Sequence, residues 1–267
     1  MSDPQLQEQI GAATAYEELF VPALFLQWAP LVLRAAKIQP DHRVLDVACG
    51  TGVLACEAAS HVGASGHIAG LDITPGMLEV ARRLAPAIAW HQGPADALPF
   101  PDQSFDAVVS QFGLMFFPDR PKALREMLRV LVAEGHLAVA VWDSLDNIPT
   151  FADEVALLER TAGAQAADAL RAPFVLGEPS GLVQLAHEAG IASVAVTTHE
   201  GTAHFPSIRS LVEADLRGWL PVMGVFREEE KIQHILAEAE DALRPHANEQ
   251  GHAVFHISAH IISGTKL

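Results

Sequence analysis

The sequence predicts an α/β protein built on a doubly wound, largely parallel sheet. Three observations carry that prediction. Short apolar, β-branched runs alternate with helical stretches between residues 43 and 142. A glycine turn, Gly50-Thr51-Gly52, joins the first run directly to a helical stretch. The length, 267 residues, suits a single α/β domain with a full core.

The first forty residues read as helical, with apolar clusters around Tyr16, Leu19 and Phe20, then Phe25, Trp28 and Leu31 to Leu33. Arg43 to Val47 is the first strand and Val53 to Ala59 the helix after it. His67 to Leu71 and Met77 to Leu84 repeat the pattern. Ile88 to His91 makes a third strand and Phe105 to Ser110 a fourth. A helix over about Arg120 to Leu131 leads to a fifth strand, His136 to Trp142.

After Asp143 the rhythm breaks. A mostly helical insertion runs from Ser144 to Pro179, carrying Phe151, Leu157, Leu158, Phe174 and Leu176. A further αβ unit follows, with Leu182 to Ala189 as helix and Ile191 to Thr198 as strand. A second helical insertion begins at Phe205, and Ala253 to Ile262 closes the chain as a strand. The expected organisation is one domain over 1–267. It has an N-terminal helical cap over 1–40 and a lid made from insertions 144–179 and 205–250.

Half the residues are hydrophobic and the mean hydropathy is +0.21, which excludes extended disorder. The net charge of −16 repels phosphate backbones, so nucleic acid is not expected as a partner. The start, Met1 to Gln5, shows no basic region followed by an apolar one. With only Cys49 and Cys56, the expectation is a cytoplasmic protein with reduced thiols. No transmembrane segment is expected, because Pro22, Gln27 and Pro30 interrupt the most apolar stretch, Leu19 to Leu33.

The strongest motif is Val44-Leu45-Asp46-Val47-Ala48-Cys49-Gly50-Thr51-Gly52. Its glycines allow a sharp turn and close approach to a ligand, and the next helix aims free N–H groups at the turn. Gly50-Thr51-Gly52-Val53-Leu54-Ala55 alone also fits a dinucleotide fingerprint. Asp46 argues for a different nucleoside. A carboxylate before the turn repels a pyrophosphate but favours the ammonium and sulfonium of S-adenosylmethionine. Asp72 ends the second strand and can accept from both ribose hydroxyls. Asp96 can accept from an adenine amino group, and the N–H of Ala97 can donate to the ring. Gln111 and Phe112 stand at the mouth of the fourth strand, beside the reacting methyl.

These motifs, together with Asp96-Ala97-Leu98-Pro99-Phe100, Ser104-Phe105-Asp106, Phe112-Gly113-Leu114 and Arg129-Val130-Leu131, resemble class I S-adenosylmethionine-dependent methyltransferases. Within them, the chain is most similar to the branch holding the ubiquinone/menaquinone C-methyltransferases (methyltransferase type 11). The resemblance covers residues 40 to 143 and, loosely, the closing strand. It implies a Rossmann-like, seven-stranded sheet with an antiparallel last strand. It also implies a cofactor site of Asp46, Ala48, Gly50, Asp72, Ile73, Met77, Asp96, Ala97, Gln111 and Phe112. The product would be S-adenosylhomocysteine. Ala48 replaces a common glycine, Cys49 a glycine or small residue, and Glu134 a glycine in a surface turn.

The expected function is methyl transfer to O, N or C of a small-molecule acceptor, apolar in character; a homodimer is compatible with the sequence. Positioning and exclusion of water supply most of the rate in such a displacement, so no catalytic side chain is required. Tyr16, Asp143 and His199 are the candidates for a base. His252, His256 and His260 share one face, but on a strand their neighbours stand about 13 Å apart, and no metal is expected. The alternatives are a nicotinamide-dependent oxidoreductase and a non-catalytic cofactor-binding scaffold.

Overall fold

The computed structural model describes residues 3–191 and 193–267. Ala192, within the predicted sixth strand, lies outside the described residues, as do Met1 and Ser2.

Helix α1 (Pro4–Leu19) starts where the Asp3 side chain accepts from the Gln5 N–H and Pro4 presets the first turn. A π-helical turn, Val21–Phe25, and a 3₁₀ turn, Leu26–Trp28, lead into α2 (Ala29–Ala35). Then β1 (Arg43–Val47), α3 (Val53–Val62), β2 (His67–Asp72), α4 (Pro75–Leu84) and β3 (Ala89–Gln92) form the first half. The second half begins with β4 (Phe105–Gln111), α5 (Arg120–Val130) and β5 (Leu131–Trp142). Helices α6 (Pro149–Ala162), α7 (Ala164–Arg171) and α8 (Pro179–Glu188) precede β6 (Val194–Phe205). After β6 come α9 (Ile208–Ala214), a second π-helical turn, Asp215–Trp219, α10 (Leu220–Val222) and α11 (Glu229–Ala242). The strand β7 (Ala253–Thr265) ends the chain.

The seven strands lie in the order β3-β2-β1-β4-β5-β7-β6, with β7 antiparallel to both β5 and β6. This is the Rossmann-like sheet expected. Its order reverses between β1 and β4, which opens a crevice at the carboxyl ends of those strands. Central strands are buried on both faces; Val44, Leu45, Val108, Val109, Val139 and Ala140 are fully enclosed.

Strand boundaries differ from expectation most in β5 and β6, while β7 runs on from Ile262 to Thr265. Strand β5 begins at Leu131, five residues early, because its first residues pair irregularly: Phe105 faces Leu131, whereas Ala107 faces His136. Within that irregularity Glu134 adopts φ +63°, the left-handed conformation a glycine would favour. Strand β6 continues to Phe205 instead of stopping at Thr198, because β7 pairs with it continuously from Val194 opposite Gly264 to Phe205 opposite Ala253. His199 and His204, which lie beyond the expected end at Thr198, are therefore strand residues.

Among the described residues no single helix is long and apolar enough to cross a membrane. Only Pro4–Leu19 with Val21–Ala35, bent by 43°, pass that test together. Much of the second member is core: Val21, Leu24, Phe25, Trp28, Val32 and Leu33 are buried.

Candidate active site

The turn between β1 and α3 is built from left-handed residues: Ala48 at φ +58°, Gly50 at +54° and Gly52 at +98°. Ala48 carries its side chain in this conformation, and a Cβ on Gly113 would stand 2.5 Å from the Ala48 Cβ. The missing side chain of Gly113 thus accommodates the alanine. At Gly50 a Cβ would meet nothing within 4 Å, so this glycine faces open cleft. Gly52 is different. A Cβ there would stand 2.6 Å from the Trp90 ring, so its smallness serves packing against β3 and not a ligand.

Asp72 ties the turn to the neighbouring strand. One carboxylate oxygen accepts from the Gly50 N–H at 2.9 Å, the other from the Thr74 N–H at 2.8 Å. Burial raises its pKa, and these N–H groups offset part of the rise. Each oxygen keeps a lone pair for a hydroxyl.

Asp72 lines a cleft of about 360 Å³ at the switch point. Ala48, Gly50, Ile73, Met77, Asp96, Gln111 and Phe112 line it too, so eight of the ten expected cofactor residues converge on one wall. Ile73 is 66 % exposed at the rim, an apolar side chain held out beside Asp72. Gln111 donates to the Phe25 carbonyl at 3.1 Å, while its own buried side-chain oxygen has no partner.

Asp46 and Ala97 stand off this wall. Asp46 is 1 % exposed beneath the turn, with neither carboxylate oxygen hydrogen-bonded. Burial drives its pKa well above the ordinary range. The Ala55 N–H, aimed at it from the first turn of α3, opposes this without reaching hydrogen-bond geometry, and Asp72 adds to the rise. The Ala97 N–H reaches the Pro94 carbonyl at 3.4 Å, so the loop closes on itself where a ring contact was expected.

The Asp96 loop is clamped to α5. Arg129 donates to the carbonyls of Leu98 and Phe100 and pairs with Glu126 and Asp102, and Glu126 accepts from the Leu98 N–H. Lys122 reaches Asp96 itself at 3.1 Å.

Beyond the cleft lies a narrow aromatic chamber of about 50 Å³, lined by Phe20, Phe25, Trp142, Phe151, Phe174 and other side chains. It shares Tyr16, Phe112, Phe116 and Trp219 with the cleft, so the two spaces adjoin. Phe112 and Trp142 stack with centroids 3.6 Å apart and planes 6° apart. Phe112 holds φ +58° to do so, a costly conformation for a bulky residue.

Of the three candidate bases, only Tyr16 borders either space. Its hydroxyl stays protonated, because burial and the Glu17, Asp72 and Asp46 carboxylates push its pKa up. Asp143 is fully engaged at the end of β5. It accepts from Ser258 at 2.6 Å, the Ser144 N–H at 2.7 Å and Asn147 at 3.1 Å, with His260 at 3.1 Å. It organises a strand end. His199 sits opposite Ala259 in β6 and lines neither space. Sequence reasoning missed Asp215, which lines the chamber, and Glu154 behind it. The available signal was an acid at an apolar-face position: Glu154 follows Phe151 by three residues and precedes Leu158 by four.

Comparison with known proteins agrees with this geometry. The model of a family described as "Methyltransferase domain" matches residues 45–139. The demethylmenaquinone methyltransferase of Listeria welshimeri is 40 % identical over 131 residues, 47 % of this chain and 55 % of that protein. The 2-phytyl-1,4-naphtoquinone methyltransferase of Synechococcus elongatus is 39 % identical over 118 residues, 42 % of this chain and 51 % of that protein. The chain thus spans about half the length of the curated relatives it matches. Among solved structures, phosphoethanolamine N-methyltransferase 2 of Haemonchus contortus superposes with a TM-score of 0.59 at 16 % identity. That alignment covers 95 % of this chain and 56 % of that one, and shows a shared fold. Residues 45–139 thus match a methyltransferase domain, and the curated relatives they resemble are quinone methyltransferases.

Proposed function

We propose that the chain uses S-adenosylmethionine to methylate O, N or C of a small apolar acceptor held in the aromatic chamber. One observation carries this reading: among the described residues the cleft is lined by two acids, Asp72 and Asp96, and by no lysine, arginine or histidine. Lys122 pairs with Asp96 from outside the lining. Beside Asp72 and the glycine turn no described cation offsets the acid, so a pyrophosphate is disfavoured there, whereas a sulfonium and an ammonium are favoured.

On this reading Gly50 gives the methionine end close approach to the backbone. Asp72 accepts from the ribose, Asp96 from the adenine amino group, and Ile73 covers the base. When bound, the cofactor supplies an electrophilic methyl group. Phe112, Phe116 and Trp219, common to both spaces, hold the acceptor against it and keep water out. The segments 1–40, 144–179 and 205–250 act as cap and lid, since Tyr16, Phe20 and Phe25, then Phe151 and Phe174, then Asp215 and Trp219 close the chamber. The free thiols of Cys49 and Cys56 support a reducing, cytoplasmic setting. The quinone substrates named for the relatives support a planar acceptor.

The test is release of S-adenosylhomocysteine when the protein and S-adenosylmethionine meet a panel of phenols, amines and hydroquinones. Turnover with at least one planar apolar acceptor is expected. Tight cofactor binding without turnover on any of them would mark a scaffold instead.

A further inference from the structure

The aromatic chamber contains one feature that methyl transfer by positioning alone does not need. Asp215 is 2 % exposed and lines the chamber, and one of its carboxylate oxygens has no hydrogen-bond partner. Behind it Glu154, on α6, is fully buried and close enough to Asp215 for the two carboxyl groups to share a proton. Two carboxyl groups buried in an apolar setting are costly even when one donates to the other, and are not retained for packing. The backbone points the same way. Asp215 opens one π-helical turn, and Phe25, which also lines the chamber, closes the other. Such turns concentrate at functional sites, because they re-aim side chains at a cost in helix geometry. At Gly218, in the second turn, a Cβ would stand 3.2 Å from the ring of Phe20, the residue that leads into the first turn.

We propose that Asp215, backed by Glu154, is the catalytic base that takes the acceptor's proton, and that the acceptor is a neutral aromatic molecule carrying an ionisable hydroxyl. The inference rests on the methyltransferase reading above. The two acids are driven up in pKa by burial, Asp215 to about 7 and Glu154 well beyond its ordinary range. Two carboxyl groups this close do not ionise together, so the pair carries one negative charge and one proton. Tyr16, the other titratable group lining the chamber, remains neutral.

In the transfer, the acceptor's O–H proton moves to Asp215. The electron pair of the acceptor oxygen, or of the ring carbon beside it, forms the new bond to the methyl group. The old methyl–sulfur bond breaks with its pair left on sulfur, giving the thioether. After attack by carbon, the ring proton passes to the oxygen and restores aromaticity, so one proton leaves by Asp215 in either case. A cationic ammonium ligand would also be attracted to a carboxylate among rings, but it has no lone pair to attack with.

The test uses the whole chain and three probes: 4-nitrophenol, 4-nitroanisole, which lacks the hydroxyl, and benzyltrimethylammonium. Binding is read by quenching of Trp142 and Trp219 fluorescence in the presence of S-adenosylhomocysteine. The wild type is expected to prefer the phenol over the anisole by about tenfold or more, the worth of one charge-assisted hydrogen bond. Asp215→Asn should abolish that preference while still binding the anisole. Glu154→Gln should keep the preference but shift its pH dependence, which a purely structural role would not do. Equal phenol and anisole binding in the wild type, tighter binding of the ammonium probe, or no binding of any probe would overturn the proposal. Calorimetry with S-adenosylhomocysteine alone separates the two levels. If it fails to bind the wild type, the methyltransferase reading falls; if it binds equally to all three proteins without a phenol preference, only this inference falls.

Discussion

At Gly52 the backbone sits at φ +98° with the Trp90 ring 2.6 Å from where a Cβ would be. Gly52→Ala is expected to destabilise the fold by about 1–3 kcal/mol, from left-handed strain and overpacking together, measured by denaturant unfolding. Glu134, at φ +63° on the surface, should respond oppositely: Glu134→Gly relieves strain and is expected to raise stability by up to about 1 kcal/mol. Asp72→Ala should weaken S-adenosylmethionine binding by about 1.5–3 kcal/mol, because it removes a charged acceptor; unchanged affinity would place the ribose elsewhere. The sequence distinguished these residues unevenly. Asp72 was legible because a strand end followed by a helix fixes where its carboxylate lies. The separate roles of Gly50 and Gly52 were not, since both satisfy the same turn and only the Trp90 contact divides them. Asp46 was legible as an acid beside the turn, but its burial off the cleft wall depends on packing around β1.

The loop carrying Asp96 owes its place to α5, through Arg129 and Glu126. Arg129→Ala is expected to weaken cofactor affinity severalfold with little change in global stability, since the pairs are partly exposed and the lost contacts are local. Equal losses of affinity and stability would show that the clamp holds the core instead. The alternation of elements was readable from residue 43 to residue 142 because each strand is a short apolar run with its own helix. The ends of β5, β6 and β7 were not readable. The β6–β7 pairing extends through polar positions such as Thr197, Thr198 and Glu200, where partner strands and not side chains decide the length. The π-helical turns were equally hidden, as they carry no residue signature beyond the apolar content of their neighbours.

Across the molecule, Asp46, Asp72, Glu154 and Asp215 are all buried with raised pKa values. The folded state therefore binds more protons than the unfolded chain once pH exceeds the ordinary carboxylate range, near 4. Stability is expected to fall as pH rises from about 4.5 to about 7, and the net charge of −16 acts in the same direction. Thermal midpoints at pH 8 should lie at least about 3 °C below those at pH 5.5, and Asp215→Asn should reduce the gap. A flat profile would mean that these acids are solvated or paired. The fold class and the strand-end acids were legible because they follow from local periodicity and from where helices begin. The chamber was not, because its walls come from residues 16 to 25, 112 to 116, 142 to 174 and 215 to 219, brought together only by the sheet order and the helical insertions. The central claim is that the acid-lined cleft selects a cationic nucleoside. Calorimetric titration with S-adenosylmethionine, S-adenosylhomocysteine and NAD tests it most directly. Binding of the first two with no measurable binding of NAD is predicted; tight binding of NAD alone would contradict the account.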